Sequence, residues 1–149
     1  MLIGVGLMAN KVWYVDSSVV LRALVERSPA ARRWLERAIA NRWVLVASRL
    51  LEVEVWRVAK QAGADPEIVA KYLDEIDYLA VDDELMAEAF SLDPPLGGAD
   101  SIHMAAALRI GPKALVMATH DKQMADGAKA LGFKVFDPVT DDPYRGPVA

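Results

Sequence analysis

Cysteine is absent from the 149 residues of this chain. Its absence excludes a disulfide scaffold, thiolate zinc sites, thiol redox chemistry and a cysteine nucleophile. Histidine is nearly as scarce, since His103 and His120 are the only two, so a histidine-rich metal site is excluded as well. Oxygen ligands remain for any metal chemistry, and the chain has 21 aspartates and glutamates to supply them.

Long apolar runs are also lacking. Unbroken apolar segments are short, as at residues 43–47, and fall far below the roughly 18 residues that a membrane-spanning helix needs. The apolar N-terminal segment has no basic leading region and no obvious cleavage site, which does not favour a secretory signal. We therefore expect a cytoplasmic protein that is not associated with a membrane.

The hydrophobic share of 54% and the charged share of 26% are typical of a folded globular domain. A formal net charge of −4 argues, taken alone, against a general nucleic-acid coat protein. The charge is uneven, however, because residues 22–60 contain nine basic and four acidic residues. About half of these basic residues are interpreted as solvated helix faces, and the others as a rim for phosphates or for an acidic partner.

Short β-branched or aromatic runs alternate with helical stretches along the chain. Predicted strands cover residues 12–15, 43–47, 77–81, 114–118 and 134–136, and predicted helices cover residues 18–26, 29–40, 49–62, 66–73, 83–90, 100–110 and 122–131. This alternation predicts the α/β class, a three-layer α/β/α domain with a central, mostly parallel, five-stranded sheet. We assign residues 12–137 to this domain, residues 1–11 to an N-terminal extension and residues 138–149 to a C-terminal tail.

Four acidic residues stand near predicted strand ends or in the helices that follow. Asp16 follows the first strand, Glu54 lies in the helix after the second, Asp100 opens the 100–110 helix, and Asp121 follows the fourth strand. Ligands of parallel α/β sheets bind beyond the carboxyl ends of the strands. Carboxylates that converge there repel one another unless a cation neutralises them, and oxygen clusters prefer Mg²⁺ or Mn²⁺. Such ions activate water and stabilise the leaving oxygen in phosphodiester hydrolysis.

Each acid taken alone also has a simpler interpretation. Aspartate is a favoured helix N-cap, which would explain Asp16, Asp100 and Asp121 separately. Glu54 would be an ordinary glutamate on the flank of a helix. The spacing permits convergence without establishing it, so both interpretations stay open at this point.

Four segments in order resemble the motifs of the PIN-domain nucleases. The first is VWYVDSS at residues 12–18, similar to a strand followed by Asp-Thr/Ser-Ser, and the second is SRLLEVEVWR at residues 48–57, with its Glu-Val-x-Arg. The third is LGGADSIHMAAAL at residues 96–108, and the fourth contains Thr-x-Asp within residues 114–133. The resemblance spans about residues 12–137 and points to the VapC branch, the toxins of type II toxin–antitoxin pairs.

This resemblance implies a Mg²⁺- or Mn²⁺-dependent endoribonuclease. The acids that it implies as catalytic and metal-binding residues are Asp16, Glu54, Asp100 and Asp121. The residues that it implies as positioning groups for carboxylates, water or substrate are Ser17, Ser18, Thr119 and Arg57. The implied partners are an RNA substrate, a cognate antitoxin protein and a second copy of the chain in a homodimer.

Two assignments within this resemblance have competitors. Glu52 is a second candidate for the second acid, and we choose Glu54 because Val55 and Arg57 complete the motif behind it. His103, on a helix predicted to be buried, is interpreted as a hydrogen-bonded core residue. His120 is better placed to touch substrate, although a structural role is the simpler interpretation.

Two other classes of function remain as alternatives. One is a PIN-like module that binds RNA or protein without cleaving. The other is a phosphoacceptor domain, which needs an acceptor aspartate after the middle strand and a lysine after the last one. Asp82 and Asp83 follow the third predicted strand, but no lysine follows Phe136, which argues against that class.

Overall fold

Five short strands form one sheet in which every neighbouring pair runs parallel. The structure is a computed structural model that describes residues 12–93 and 96–141. The predicted extension, residues 1–11, and most of the predicted tail, residues 142–149, lie outside the described residues. The division of the chain into these segments stays a prediction.

Strands and helices alternate along the chain as the sequence predicts. The strands are β1 (Val12–Val15), β2 (Val44–Ser48), β3 (Asp77–Leu79), β4 (Leu115–Ala118) and β5 (Lys134–Phe136). The helices are α1 (Ser17–Leu24), α2 (Pro29–Ala40), α3 (Leu50–Ala62), α4 (Pro66–Leu73), α5 (Asp83–Phe90), α6 (Gly98–Ile110) and α7 (Lys122–Ala130). Ser28 and Asp65 cap α2 and α4, each with proline at the first helical position, where a missing N–H is harmless.

The strand order is β3-β2-β1-β4-β5. The chain therefore builds outward from β1 to one edge of the sheet, and then returns to the other side of β1 with β4. The crevice beyond the carboxyl ends of β1 and β4 is the topological switch point, where ligands of such sheets bind. The predicted α/β class with a parallel five-stranded sheet is confirmed, and the PIN-like three-layer arrangement is consistent with it.

The core fills both faces of the central strands. All four residues of β4 are buried, as expected for a parallel strand with cover on both faces. Beneath the helices, Trp13 packs against Trp34, Trp43 and Phe136, with ring centroids 5.2, 5.5 and 5.7 Å apart. Aromatic groups of this size dominate the apolar area that a small domain buries.

Several boundaries differ from the prediction by one or two residues, and three of these differences bear on the site or the sheet. Helix α6 begins at Gly98, two residues before Asp100, so Asp100 is not its N-cap. Strand β3 ends at Leu79 instead of residue 81. Strand β2 is shifted by one residue and includes Ser48, whose backbone therefore lies inside the sheet beside β1.

No helix in the described ranges is long and apolar enough to cross a membrane.

Candidate active site

Asp16 lies at the carboxyl end of β1 and is only 3% exposed. Although it occupies the N-cap position of α1, its side chain caps no backbone N–H there. Its Oδ2 atom instead accepts hydrogen bonds from Ser18 Oγ at 2.6 Å and Thr119 Oγ1 at 2.8 Å. The N-cap interpretation of Asp16 is therefore wrong, and a buried carboxylate of this kind needs another purpose.

The hydroxyls of Ser18 and Thr119 join the ends of β1 and β4. Ser18 Oγ accepts from the N–H of His120 at 3.0 Å, and Thr119 Oγ1 accepts from the N–H of Asp121 at 3.0 Å. Because each hydroxyl accepts a backbone proton and donates its own to Asp16, the orientation of the Asp16 carboxylate is fixed. Within the described residues, its Oδ1 atom has no hydrogen-bond partner.

Asp100 lies in the first turn of α6 and is half-buried. Its pKa is raised from 3.8 to about 6, chiefly by burial, then by the negative charges of Asp16 and Asp121 and to a smaller extent by that of Glu54. His103 acts in the opposite direction. The four predicted acids therefore share one electrostatic environment, and Asp100 experiences the charges of the other three.

This raised pKa predicts how stability depends on pH when no metal is present. Between pH 4 and 6, Asp100 holds a proton in the native state but has lost it in the unfolded state. The stability that this proton contributes therefore decreases as pH rises through that window. Asp100→Asn should therefore raise the midpoint of thermal unfolding by a few degrees at pH 8 in chelator. At pH 4 the variant and the wild type should unfold together.

The matched control for this measurement is Asp77→Asn, which changes an exposed aspartate at the start of β3. We expect no comparable rise for it at pH 8. Equal unfolding midpoints for Asp100→Asn and the wild type at pH 8 would show that Asp100 is not strained by its acidic neighbours.

Asp121 both caps a helix and faces the crevice. Its Oδ1 atom accepts from the N–H groups of Gln123 at 2.8 Å and Met124 at 3.2 Å at the start of α7. The N-cap interpretation is therefore correct for this residue. Its charge nevertheless raises the pKa of Asp100, and its Oδ2 atom has no partner among the residues described, so capping leaves one oxygen for another role.

The structure separates the two candidates for the second acid. Glu52 forms an ion pair with Arg49 on its own helix. Glu54 instead reaches His103 on α6, with Oε1 2.6 Å from Nε2, and its charge contributes to the raised pKa of Asp100. Glu54 is therefore the acid that faces the other three.

The other residues named from the sequence are Ser17, Arg57 and His120, and among the described residues none of their side chains forms a hydrogen bond or ion pair with the four acids. Ser17, the first residue of α1, is half-buried and has no side-chain hydrogen bond within the described ranges. Arg57 is exposed on α3 without an ion-pair partner in those ranges. His120 Nδ1 lies 2.8 Å from Asp137 Oδ2, and both residues line a cavity of about 460 Å³ with Asp121.

Among the nine basic residues in the stretch 22–60, Arg22, Arg32 and Arg49 each form an ion pair with a glutamate three or four positions along the chain. Arg22 contacts Glu26 at 2.9 Å, and the Arg49–Glu52 pair lies where β2 ends. Arg49 also stacks over the ring of Tyr78 at 5.0 Å, which holds a guanidinium near the carboxyl edge of the sheet. The phosphate-binding rim stays a prediction, with Arg49 the member nearest a strand end.

The donor set fits a hard divalent cation. No lysine or arginine of the described chain forms an ion pair with Asp16, Asp100 or Asp121, so none of these cations compensates their charges. The same residues contain no ready-made cluster of three or more acidic or histidine ligands. Mg²⁺ needs none, because it keeps several waters and is held directly by one or two carboxylates.

Comparison with known proteins adds to this geometry. The family model described as the PIN domain matches residues 13–130. The chain belongs to the PIN-domain family.

Two curated relatives resemble this PIN domain over most of both chains. Ribonuclease VapC46 of Mycobacterium tuberculosis (strain ATCC 25618 / H37Rv) is 34% identical over 129 residues, 84% of this chain and 96% of the relative. Ribonuclease VapC47 of M. tuberculosis (strain CDC 1551 / Oshkosh) is 28% identical over 130 residues, again 84% and 96%. The resemblance to the VapC branch is therefore confirmed.

Sequence reasoning missed two residues that support the acids of this PIN domain. Tyr14 and Ser48 are both fully buried and both hydrogen-bond to His103. Alternation along β1 places Tyr14 on the same side as Asp16, and a buried tyrosine hydroxyl needs a partner. That pattern is the signal that would have directed attention to Tyr14.

Proposed function

We propose that this PIN domain is a metal-dependent endoribonuclease that hydrolyses RNA phosphodiester bonds as the toxin of a type II toxin–antitoxin pair. The observation that carries the proposal is the electrostatic coupling of Asp16, Glu54, Asp100 and Asp121 beyond β1 and β4. Acids that raise the pKa of a neighbouring carboxyl, as three of them do for Asp100, destabilise the protein unless a cation joins them. Both relatives are named as ribonucleases, VapC46 and VapC47, which supports RNA as the substrate.

In this proposal, the four acids hold Mg²⁺ or Mn²⁺. Such an ion, when bound, supplies a nucleophilic hydroxide and stabilises the charge of the leaving oxygen. The chain's own contribution is to hold the ligands still. Ser18 and Thr119 fix Asp16, the backbone of α7 fixes Asp121, and the carboxylate oxygens without partners remain available.

Charge distribution supports an RNA substrate beside an acidic pocket. Arg49 at the end of β2 and the exposed Arg57 on α3 are the basic side chains proposed to contact phosphates. Phosphate contacts of this kind position a nucleic acid without reading its sequence. We also propose a cytoplasmic location, where RNA and a newly made antitoxin are both present, and a homodimer.

Removing the metal should stop cleavage completely. Purified protein is expected to cut RNA in Mg²⁺ or Mn²⁺, to lose all activity in excess chelator and to regain it when the ion is restored, because no protein cation replaces the metal charge. The measurement is the rate of product formation from an end-labelled RNA. Cleavage that persists in chelator would contradict the proposal.

The toxin assignment needs a second test. Expression of the chain should arrest growth of a bacterial host, and coexpression of the small protein encoded beside it should relieve the arrest. RNA binding without cleavage, in a preparation that also fails to bind Mn²⁺, would instead favour the module that binds without cutting.

A further inference from the structure

A buried chain of hydrogen bonds ends on the Glu54 carboxylate. It begins at the backbone N–H of Ser48, which donates to Tyr14 Oη at 2.8 Å. Tyr14 Oη lies 2.7 Å from His103 Nδ1, and His103 Nε2 lies 2.6 Å from Glu54 Oε1. Strand β2, strand β1, helix α6 and helix α3 thus meet through four polar residues, of which Ser48, Tyr14 and His103 are fully buried.

The proton positions in this chain follow from its first and last members. An ionised carboxylate can only accept, so His103 Nε2 carries the proton of its bond with Glu54. In a neutral imidazole Nδ1 then accepts, and Tyr14 Oη, which itself accepts from the N–H of Ser48, donates its phenol proton to Nδ1. Burial raises the pKa of Tyr14, which keeps its phenol proton available for this bond. Every donor therefore points toward Glu54.

Without this chain, Glu54 would have no hydrogen bond from the described residues. It is 27% exposed at the side chain, whereas Asp16 is fixed by two hydroxyls and Asp121 by two backbone N–H groups. The bond from His103 is the one hydrogen bond to Glu54 from the described residues. It engages Oε1 and leaves Oε2 without a partner from those residues.

We propose that His103 is a positioning residue that orients Glu54 for metal binding, with Tyr14 and Ser48 fixing the histidine in turn. This inference rests on the proposed function and deepens it. A purely structural histidine in the core would also need its ring nitrogens hydrogen-bonded, but here the partner of Nε2 is one of the four acids, so this bond acts directly on the orientation of Glu54. Partners that orient a metal ligand in this way commonly change metal affinity by about 10- to 100-fold when they are mutated.

Two variants of His103 separate positioning from packing. His103→Gln can place its amide nitrogen near the Nε2 position and still donate to Glu54. His103→Asn is too short to reach Glu54 but keeps a polar group near the Nδ1 position, facing Tyr14. Asparagine is one methylene shorter than glutamine and leaves a larger gap in the core, so a purely structural role predicts losses that follow unfolding stability and do not depend on the Glu54 carboxylate.

The measurement is Mn²⁺ binding by calorimetry on protein shown to be folded by circular dichroism, followed by steady-state cleavage of RNA. We expect His103→Asn to bind Mn²⁺ about 10- to 100-fold more weakly and to lower kcat with little change in KM for RNA. His103→Gln should recover most of both losses. In a Glu54→Gln background, His103→Asn should have no further effect on Mn²⁺ binding.

Control variants keep this test decisive. Glu52→Gln changes the neighbouring glutamate on α3 and should bind Mn²⁺ as the wild type does. If His103→Asn fails to fold, Tyr14→Phe removes one hydroxyl from the chain and should weaken Mn²⁺ binding in the same direction. The inference would be overturned if the folded variant, either His103→Asn or Tyr14→Phe, bound Mn²⁺ with the affinity of the wild type.

Failure of the inference can be told apart from failure of the proposed function. A wild type that binds Mn²⁺ and cuts RNA, beside a His103→Asn variant with unchanged affinity and kcat, overturns the positioning role alone. Equal losses in His103→Asn and His103→Gln also overturn it, in favour of packing. A wild type that neither binds Mn²⁺ nor cuts RNA overturns the proposed function and the positioning role with it.

Discussion

Asp16→Asn is expected to abolish RNA cleavage while leaving the fold intact. Metal ions supply several kcal/mol of transition-state stabilisation, and since each 1.36 kcal/mol is a factor of ten in rate, loss of this ligand should lower kcat/KM by about a thousandfold. Asp16 is the most buried of the four acids, so no water-exposed neighbour can replace it. The measurement is the initial rate of cleavage of an end-labelled RNA in Mg²⁺.

The fold should tolerate this substitution for a specific reason. An asparagine oxygen can accept the same two hydrogen bonds from Ser18 and Thr119 that Asp16 accepts now. The substitution also removes a negative charge that raises the pKa of Asp100. In chelator, the unfolding midpoint of Asp16→Asn should therefore equal or exceed that of the wild type.

The control is Asp126→Asn, which changes an exposed aspartate on α7 that pairs with Lys122. This variant should cut RNA at the wild-type rate. If Asp16→Asn were folded and as active as Asp126→Asn, the cleavage would not arise from the crevice beyond β1 and β4.

Much of the architecture is predictable because it depends on local patterns. Apolar, β-branched runs of four or five residues, each followed by a helical stretch, indicate parallel strands without any knowledge of tertiary contacts. The position of Asp16 also follows, because a residue directly after a strand lies at the carboxyl edge wherever the strand is in the sheet. The sequence does not show that β1 and β4 are neighbours in the sheet, because their pairing depends on tertiary contacts. It is this pairing that brings Asp16 toward Asp121.

The start of α6 shows where local patterns fail. Gly97 and Gly98 are poor helix formers, so the sequence favours a start at Asp100, yet the helix begins at Gly98. The difference moves Asp100 from the cap into the first turn. There its side chain is half-buried and subject to the charges of the other acids, which no cap rule would have predicted.

Helix α3 provides a second example. The sequence predicts an apolar stripe of Leu51, Val55, Val58 and Ala62, but the residues that are buried are Leu51, Val55 and Ala59, and Val58 and Ala62 are exposed. Helix α3 packs against α1, α4 and α6, and these neighbours decide which face is covered. The contact of Glu54 with His103, 49 positions away in the chain, depends on the same packing.

Asp121 allows its two roles to be separated by experiment. Asparagine caps helices about as well as aspartate, whereas alanine does not and typically loses about 1 kcal/mol of stability. Asp121→Ala should therefore unfold at a lower temperature, while Asp121→Asn should not. Both variants remove the charge from the crevice, so both should cut RNA at least about a hundredfold more slowly, the equivalent of about 2.7 kcal/mol.

Asp65→Ala is the matched control for the capping role. Asp65 caps α4 by accepting a hydrogen bond from the N–H of Glu67, two residues along, at 2.9 Å, and Asp121 accepts from the N–H of Gln123 in the same way. Asp65→Ala should lose a similar amount of stability as Asp121→Ala and keep wild-type cleavage. Thermal unfolding and cleavage rates of the three variants form one experiment. Full activity in Asp121→Asn would show that Asp121 acts only as a helix cap. The negative charge on its Oδ2 atom, which has no partner among the described residues, would then not be needed for metal binding.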